Sequence, residues 1–271
     1  MIEQETCLFH RDVSSGDQYV ETLHTTVERA MAEKTAMPIV RFADGEYAFY
    51  RHSLDCNGLY RQAEDAAAIR RVMPGHLEAM RTLARRGRIA PLVFPGNTRK
   101  KARGLFSFLR KSHDDSALGF LAFLAANGIE LTGDNYVPFY AVYAYLASGR
   151  FASLLDGKSV CVVNSDFDEG ACRSWFRQFS SRPRISHAPI AAEYVATRWD
   201  SMREGVLAAV PPGVDVCIVG AGVGALQVCV DIADRFSAIA VDAGHVMNMM
   251  NGRVDKSGGP RLYTLWKDTR A

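Results

Sequence analysis

The sequence lacks a Cys-x-x-Cys pair, a long apolar run and any appreciable net charge. Its 32 basic and 30 acidic side chains leave a formal charge of +2, so no overall field favours nucleic acid or an anionic membrane. The six cysteines lack the spacing of a disulfide or zinc framework, which predicts a reduced, cytoplasmic protein. No apolar run approaches the roughly 18 residues of a membrane span, and the acidic, polar start is unlike a signal peptide. We therefore expect no stable membrane insertion.

Composition and length are those of an ordinary globular protein. Of 271 residues, 48% are hydrophobic and 23% charged, enough to build a substantial core. No internal repeat, low-complexity tract or linker interrupts the chain. The sequence therefore predicts one domain over residues 1–271, in which residues 1–36 form a helical lead-in.

Short apolar runs alternate with helical periodicity along the chain, most regularly after residue 158. This alternation predicts an α/β, Rossmann-like domain with a mostly parallel sheet and helices on both faces. The predicted strands are 38–40, 88–94, 159–164, 184–187, 214–219 and 238–241. The predicted helices are 18–35, 64–84, 99–110, 116–126, 139–146, 168–179, 194–210 and 225–236.

One cation and two carboxylates follow the first predicted strand, at Arg41, Asp44 and Glu46. The carboxyl edge of a parallel sheet is where such folds bind ligands. Asp44 and Glu46 are close enough in sequence to reach one hard divalent cation through oxygen. Alternatively, Asp44 is a helix N-cap and Glu46 a first-turn carboxylate that complements the helix dipole.

A glycine-rich turn follows the strand at 214–219, with Gly220, Ala221, Gly222 and Gly224 in a G-x-G-x-x-A pattern. With Asp242 downstream, the pattern is that of a dinucleotide or S-adenosylmethionine site. Its place near the C-terminus argues against this, because the fingerprint usually opens its βαβαβ unit. The turn still predicts backbone amides suited to a phosphate. The alternative is that its glycines permit close helix–strand packing.

Asp242 and His245 follow the last predicted strand. Because parallel strands end at one edge, we expect them beside Asp44, Glu46 and Gly220. A lone histidine is usually a structural residue. The acidic pair, the glycine-rich turn and the Asp-x-x-His segment are expected at one edge, and together they predict a functional site.

Two further patterns leave alternatives open. The predicted helix at 99–110 is basic, with Arg99, Lys100 and Arg103, and either binds an anionic partner or forms a solvated face. Tyr140 and Tyr143 follow in the helix at 139–146. Such rings either stack on a sugar or base or pack the helix against the sheet, and packing is favoured.

The two strand-end motifs resemble those of a known family. The R-F-A-D-G-E segment ending at Glu46 is similar to the R-F-G-D-G-E signature of bacterial GT-D-type glycosyltransferases, which carries their D-x-E motif. The D-A-G-H segment from Asp242 to His245 is similar to their D-x-G-H segment. The resemblance covers residues 37–52 and 214–250. Ala43 replaces the usual glycine, and the usual tyrosine and acid after the histidine are absent.

This resemblance implies transfer of a sugar from a nucleotide donor, expected to be UDP-linked, with Mn²⁺ or Mg²⁺. By the match, Asp44 and Glu46 serve the metal and diphosphate, and Arg41 supports the phosphates or the carboxylates. Asp242 and His245 complete the donor pocket. The acceptor is a glycan, a glycoprotein or modified DNA, and its hydroxyl needs a general base. Asp242, Glu46 and His245 are the candidates for that base.

Two other functions stay open from the sequence. One is an NAD(P) or S-adenosylmethionine enzyme that uses the turn from Gly220 to Gly224 without a metal. The other is a non-catalytic module that binds a sugar nucleotide or nucleic acid through Arg99, Lys100 and Arg103.

Overall fold

The computed structural model describes residues 7–9, 16–58, 60–99 and 114–252. Within them, six strands form one sheet in the order β2-β1-β6-β5-β3-β4, and every neighbouring pair is parallel. This confirms the predicted α/β fold. The strands are β1 (Met37–Phe42), β2 (Arg88–Pro91), β3 (Ser159–Asn164), β4 (Arg184–Pro189), β5 (Val216–Gly220) and β6 (Ile239–Asp242).

Ten α-helices connect or flank these strands in the described residues. They are α1 (Gly16–Ala32), α2 (Asp44–Tyr50), α3 (Ala66–Arg86), α4 (Ser116–Ala126), α5 (Phe139–Leu146), α6 (Gly149–Leu154), α7 (Glu169–Arg177), α8 (Val195–Ala209), α9 (Ala225–Phe236) and α10 (Val246–Met250). The sequence patterns did not predict α6 or α10, and β2 ends earlier than predicted. Of the predicted basic helix, only Arg99 lies inside the described residues.

The sheet separates two hydrophobic cores. Alternate side chains of each strand point to opposite faces, so Val40, Cys161 and Cys217 enter one core with α3, α8 and α9. Their neighbours, including Ile39 and Val162, enter the other core with α1, α5 and α7. Burial on both faces explains why the central strands β3, β5 and β6 are mainly apolar runs. Among the described residues, no helix is both long enough and apolar enough to cross a membrane.

The last strand of the chain lies in the middle of the sheet. β6 pairs with β1 through Ile39 and Val241, and with β5 through Val219 and Asp242. The carboxyl ends of β1, β6, β5 and β3 therefore lie side by side. This strand order brings Arg41 next to Asp242, 201 positions later in the chain.

Aromatic packing fixes helix α2, which carries the first two predicted carboxylates. Phe120 of α4 stacks on Phe42 and Tyr47 with ring centroids 5.0 and 4.8 Å apart. The Tyr47 hydroxyl also donates to the carbonyl of Leu92 at 2.9 Å. The start of α2 is thus held by buried aromatic contacts and by a hydrogen bond to the residue that follows β2.

We predict that Gly87→Ala destabilises the protein by about 1–3 kcal/mol, as overpacking of a core does. A Cβ at Gly87 would lie 2.2 Å from the carbonyl oxygen of Pro38 in β1 and 2.7 Å from Leu83 Cδ1. Chemical denaturation measures the loss.

The matched control is Gly205→Ala in α8, where a Cβ meets nothing within 4 Å. Because alanine favours a helix interior, this variant should gain about 0.5–1 kcal/mol. Equal stability of the two variants would contradict the account of Gly87.

Candidate functional site

A cavity of about 510 Å³ lies over the carboxyl ends of the four central strands. Its volume is in the range of small-molecule sites, and its place is the usual one for an open parallel sheet. The predicted site residues that line it are Arg41, Asp44, Glu46, Gly220, Ala221, Gly222, Asp242 and His245. Gly224 does not line it. A Cβ on Gly224 would lie 2.5 Å from Val195 Cγ1, so this glycine permits close packing against α8.

A buried ion pair between Arg41 and Asp242 forms the floor of the cavity. Arg41 Nη2 donates to Asp242 Oδ1 at 3.0 Å, and Arg41 Nε donates to the Asp242 carbonyl at 2.8 Å. The backbone N–H of Arg41 donates to Oδ2 at 3.3 Å. The two residues are only 6% and 5% exposed. The guanidinium thus fastens the end of β1 to the end of β6.

Aromatic rings and a glycine close around the Arg41 guanidinium. Its Cζ lies 4.3 Å from the ring centroid of Tyr143 and 5.1 Å from that of Phe139. Gly244, at φ +44°, leaves room for the guanidinium on another side. A Cβ at Gly244 would lie 1.9 Å from Arg41 Nη2. Burial by itself lowers the pKa of Arg41, but the charge and hydrogen bond of Asp242, together with Tyr143 and Glu46, outweigh burial, so the net pKa is raised. The Tyr143 ring packs against this pair, and Tyr140 and Tyr143 also line the cavity, so both interpretations of these rings stay open.

Asp242 has hydrogen bonds on both carboxylate oxygens. Oδ1 accepts from Gly244 N at 3.1 Å in addition to Arg41 Nη2, and Oδ2 accepts from Arg41 N. The carboxylate therefore organises the turn after β6.

Glu46 has a capping role as well as a place in the cavity. Helix α2 begins at Asp44, its N-cap is Ala43, and Glu46 Oε2 accepts from Ala43 N at 2.8 Å. Burial and the charge of Asp242 raise the pKa of Glu46 to about 7, although the bond from Ala43 opposes that rise. Asp44 is the first helical residue rather than the N-cap, and it is exposed.

His245 lies on the cavity wall and is exposed. The apolar residues after it build α10 into the core, with Val246, Met247 and Met250 buried. This burial is the structural role of the segment that departs from the family pattern.

Several lining residues carried no signal in the sequence. Asn164 and Ser165 come from the end of β3, and Tyr60 and Gln62 from the loop after α2. Tyr60 is 52% exposed, although it is a large aromatic residue. No local pattern marks this loop as part of the site, because the contacts that bring it to the cavity are made across the fold.

No group of three or more His, Cys, Asp or Glu side chains in the described residues is placed to hold a metal ion. Asp44 and Glu46, the first and third residues of α2, both line the cavity. Two carboxylates suit a hard cation such as Mg²⁺, which commonly takes its other ligands from phosphate and water. The donor set therefore fits a cation that arrives with a diphosphate.

We predict that Asp242→Asn destabilises the protein by about 3–5 kcal/mol, because Arg41 would remain buried without its counter-charge. The matched control is Asp234→Asn, which breaks the exposed Arg86–Asp234 pair of 2.7 Å and should cost less than about 1 kcal/mol. Urea unfolding at pH 7 measures both. Similar losses in the two variants would refute a dominant role for the buried pair.

We also predict a pH-dependent difference between wild type and Glu46→Gln, which keeps an oxygen for Ala43 N. The pKa of Glu46 is raised from 4.5 to about 7 on folding, so the folded protein binds more protons between these values. The carboxyl therefore lowers wild-type stability as pH rises through that window. The stability of Glu46→Gln relative to wild type should rise from pH 4.5 to 7 and then level off.

Unfolding measured from pH 4 to 8 at constant ionic strength, with EDTA present, tests this prediction. A difference between the two proteins that stays constant with pH would contradict it.

Comparison with known proteins assigns the chain to a family. A model described as a GT-D fold-like domain matches residues 111–250, which contain the glycine-rich turn, Asp242 and His245 but not Asp44 or Glu46. No curated protein matches the chain.

Two solved structures resemble the chain, each at 12% identity. One, a selenomethionine-substituted structure of domain of unknown function 1792, has a TM-score of 0.49 and covers 95% of this chain and 87% of its own. The other, described as a distinct glycosyltransferase fold of that same domain, has a TM-score of 0.47 and covers 94% of each chain. The family match itself spans more than half of the 271 residues, and this protein therefore belongs to the GT-D-like family.

Proposed function

We propose that the protein is a metal-dependent glycosyltransferase that takes a sugar from a nucleotide donor, with the diphosphate at the Asp44 and Glu46 end of the cavity. Membership of the GT-D-like family supports glycosyl transfer. The observation that carries the proposal is that one cavity at the strand ends is lined by both carboxylates, Asp242 and His245. The UDP-linked donor rests on the sequence resemblance.

Asp44 and Glu46 would hold the cation in this proposal. Cleavage of a sugar–diphosphate bond builds negative charge on the leaving diphosphate, and a divalent cation supplies the opposite charge when bound. Because the protein contributes only two carboxylates, the cation should bind weakly alone and more tightly with the diphosphate. Arg41 acts beneath them as a positioning residue, since its Nε and Nη2 bond to Asp242.

The acceptor hydroxyl needs a general base within hydrogen-bond reach. Of the three candidates, Asp242 fits least well, because Arg41 and Gly244 donate to its oxygens. Glu46 and His245 both line the cavity, and because the proposal assigns Glu46 to the cation, His245 is the better candidate for the base. The acceptor remains a glycan, a glycoprotein or modified DNA.

The dinucleotide alternative meets two obstacles. A ribose-binding acid needs acceptor capacity for the ribose hydroxyls, whereas Asp242 already accepts three hydrogen bonds from Arg41 and Gly244. The amide of Val223 in the glycine-rich turn is also occupied, by Gln62. For the binding-module alternative, Lys100 and Arg103 lie outside the described residues.

Calorimetry with UDP, GDP, dTDP, NAD⁺ and S-adenosylmethionine, each with and without Mn²⁺, tests the proposal. We expect Mn²⁺-dependent binding of a nucleoside diphosphate, weakened at least about tenfold in Asp44→Asn/Glu46→Gln, since a charged contact contributes about 1.5–3 kcal/mol. Mn²⁺ and the nucleotide should each tighten the binding of the other.

The matched control is Asp17→Asn/Glu21→Gln, which removes two exposed carboxylates from α1 and should leave binding unchanged. Metal-independent binding of NAD⁺ or S-adenosylmethionine that survives in Asp44→Asn/Glu46→Gln would instead support the dinucleotide alternative.

A further inference from the structure

The glycine-rich turn already holds an oxygen from the protein itself. Gln62 Oε1 accepts from the backbone N–H of Val223 at 2.9 Å. Val223 follows the second glycine of the G-x-G pattern, where exposed amides at the start of a helix commonly hold a phosphate oxygen. The next amide, Gly224 N, donates to Ala221 O at 3.1 Å. The side chain of Gln62 thus takes the position on the turn that an anion would use.

Gly222 provides the space for this side chain. It adopts φ +54°, and a Cβ there would lie 2.4 Å from Gln62 Oε1 and 2.9 Å from its Cδ. In a phosphate-binding turn, a glycine at this position lets the ligand approach the backbone. Here the same absence of a side chain lets Gln62 approach.

The loop that carries Gln62 is built to hold it in place. Asn57 Oδ1 accepts from Gln62 N at 2.7 Å and from Ala63 N at 3.0 Å, and Asn57 Nδ2 donates to Ala63 O at 2.9 Å. The other end of the Gln62 amide, Nε2, donates to Tyr60 O at 3.0 Å. Tyr194 N donates to Arg61 O at 2.7 Å, which ties the loop to the start of α8. Both the oxygen and the nitrogen of the Gln62 side-chain amide are therefore held by hydrogen bonds.

We infer that Gln62 is a specificity-determining residue that closes the glycine-rich turn to phosphate and directs a diphosphate to Asp44 and Glu46. A neutral amide oxygen satisfies the Val223 N–H without adding charge to a cavity that already contains several carboxylates. The Val223 amide of the turn is then hydrogen-bonded within the protein and does not bind a phosphate. That a diphosphate binds at Asp44 and Glu46 rests on the proposed function. That Gln62 keeps phosphate from the glycine-rich turn does not.

A purely structural role for Gln62 makes a different prediction. In that case its removal costs stability and creates no new ligand affinity. If Gln62 occupies an anion position, its removal exposes a backbone amide at a helix start, and the turn gains affinity for an anion.

The test measures binding of inorganic pyrophosphate, with EDTA and no metal, to wild type, Gln62→Ala and Gln62→Glu. We expect Gln62→Ala to bind pyrophosphate at least about tenfold more tightly than wild type, as expected for a regained charge-assisted hydrogen bond. Gln62→Glu keeps an acceptor on Val223 N and adds a negative charge, so it should show no gain. In amide NMR spectra, pyrophosphate should shift the Val223 signal in Gln62→Ala alone.

Equal affinity of wild type and Gln62→Ala, or weaker binding by Gln62→Ala, would overturn the inference. A gain shared by Gln62→Glu would also overturn it, because loosening of the loop would then explain the change. If Gln62→Ala does not fold, Gln62→Ser, whose side chain is too short to reach the turn, carries the same expectation. The metal-free pyrophosphate measurement does not depend on Asp44 or Glu46, so its failure is distinct from failure of the proposed function.

Discussion

The buried ion pair between Arg41 and Asp242 is the interaction on which the site depends. It joins the end of β1 to the end of β6 through the side chain, the backbone carbonyl and the backbone amide. Removing either partner would leave an uncompensated buried charge, which is far more costly than losing a surface pair. Because β1 leads directly into α2 and β6 into the Asp242–His245 turn, this one pair sets the relative positions of both motifs.

Some polar groups around the cavity are hydrogen-bonded to other groups of the protein. Others face the cavity and could bind a ligand. Asp242 is engaged by Arg41 and Gly244, and the Val223 amide by Gln62. Glu46 gives one oxygen to Ala43 and keeps a raised pKa of about 7. These internal hydrogen bonds hold the ends of β1 and β6 and the glycine-rich turn, while Asp44 and Glu46 line the same cavity.

Much of the architecture could be predicted because the signal is local. The apolar runs that became β1 and β3 are buried on both faces, which parallel strands require. The site residues could be proposed for the same reason, since all carboxyl ends of a parallel sheet lie at one edge. The roles were harder to predict: Arg41 was expected to support phosphates or carboxylates, and its described bonds are to Asp242. Gly224 belongs to the packing of α8 rather than to the cavity lining.

The sequence by itself determined the fold class, most helices and strands, and two motifs that resemble those of GT-D-type glycosyltransferases, because periodicity and short motifs are properties of neighbouring residues. The tertiary structure alone decided that β6 lies between β1 and β5, that Asp242 is committed to Arg41, and that Gln62 fills the glycine-rich turn. Gln62 and Val223 are 161 positions apart. Contacts over such distances depend on strand order and loop path, which no local pattern encodes.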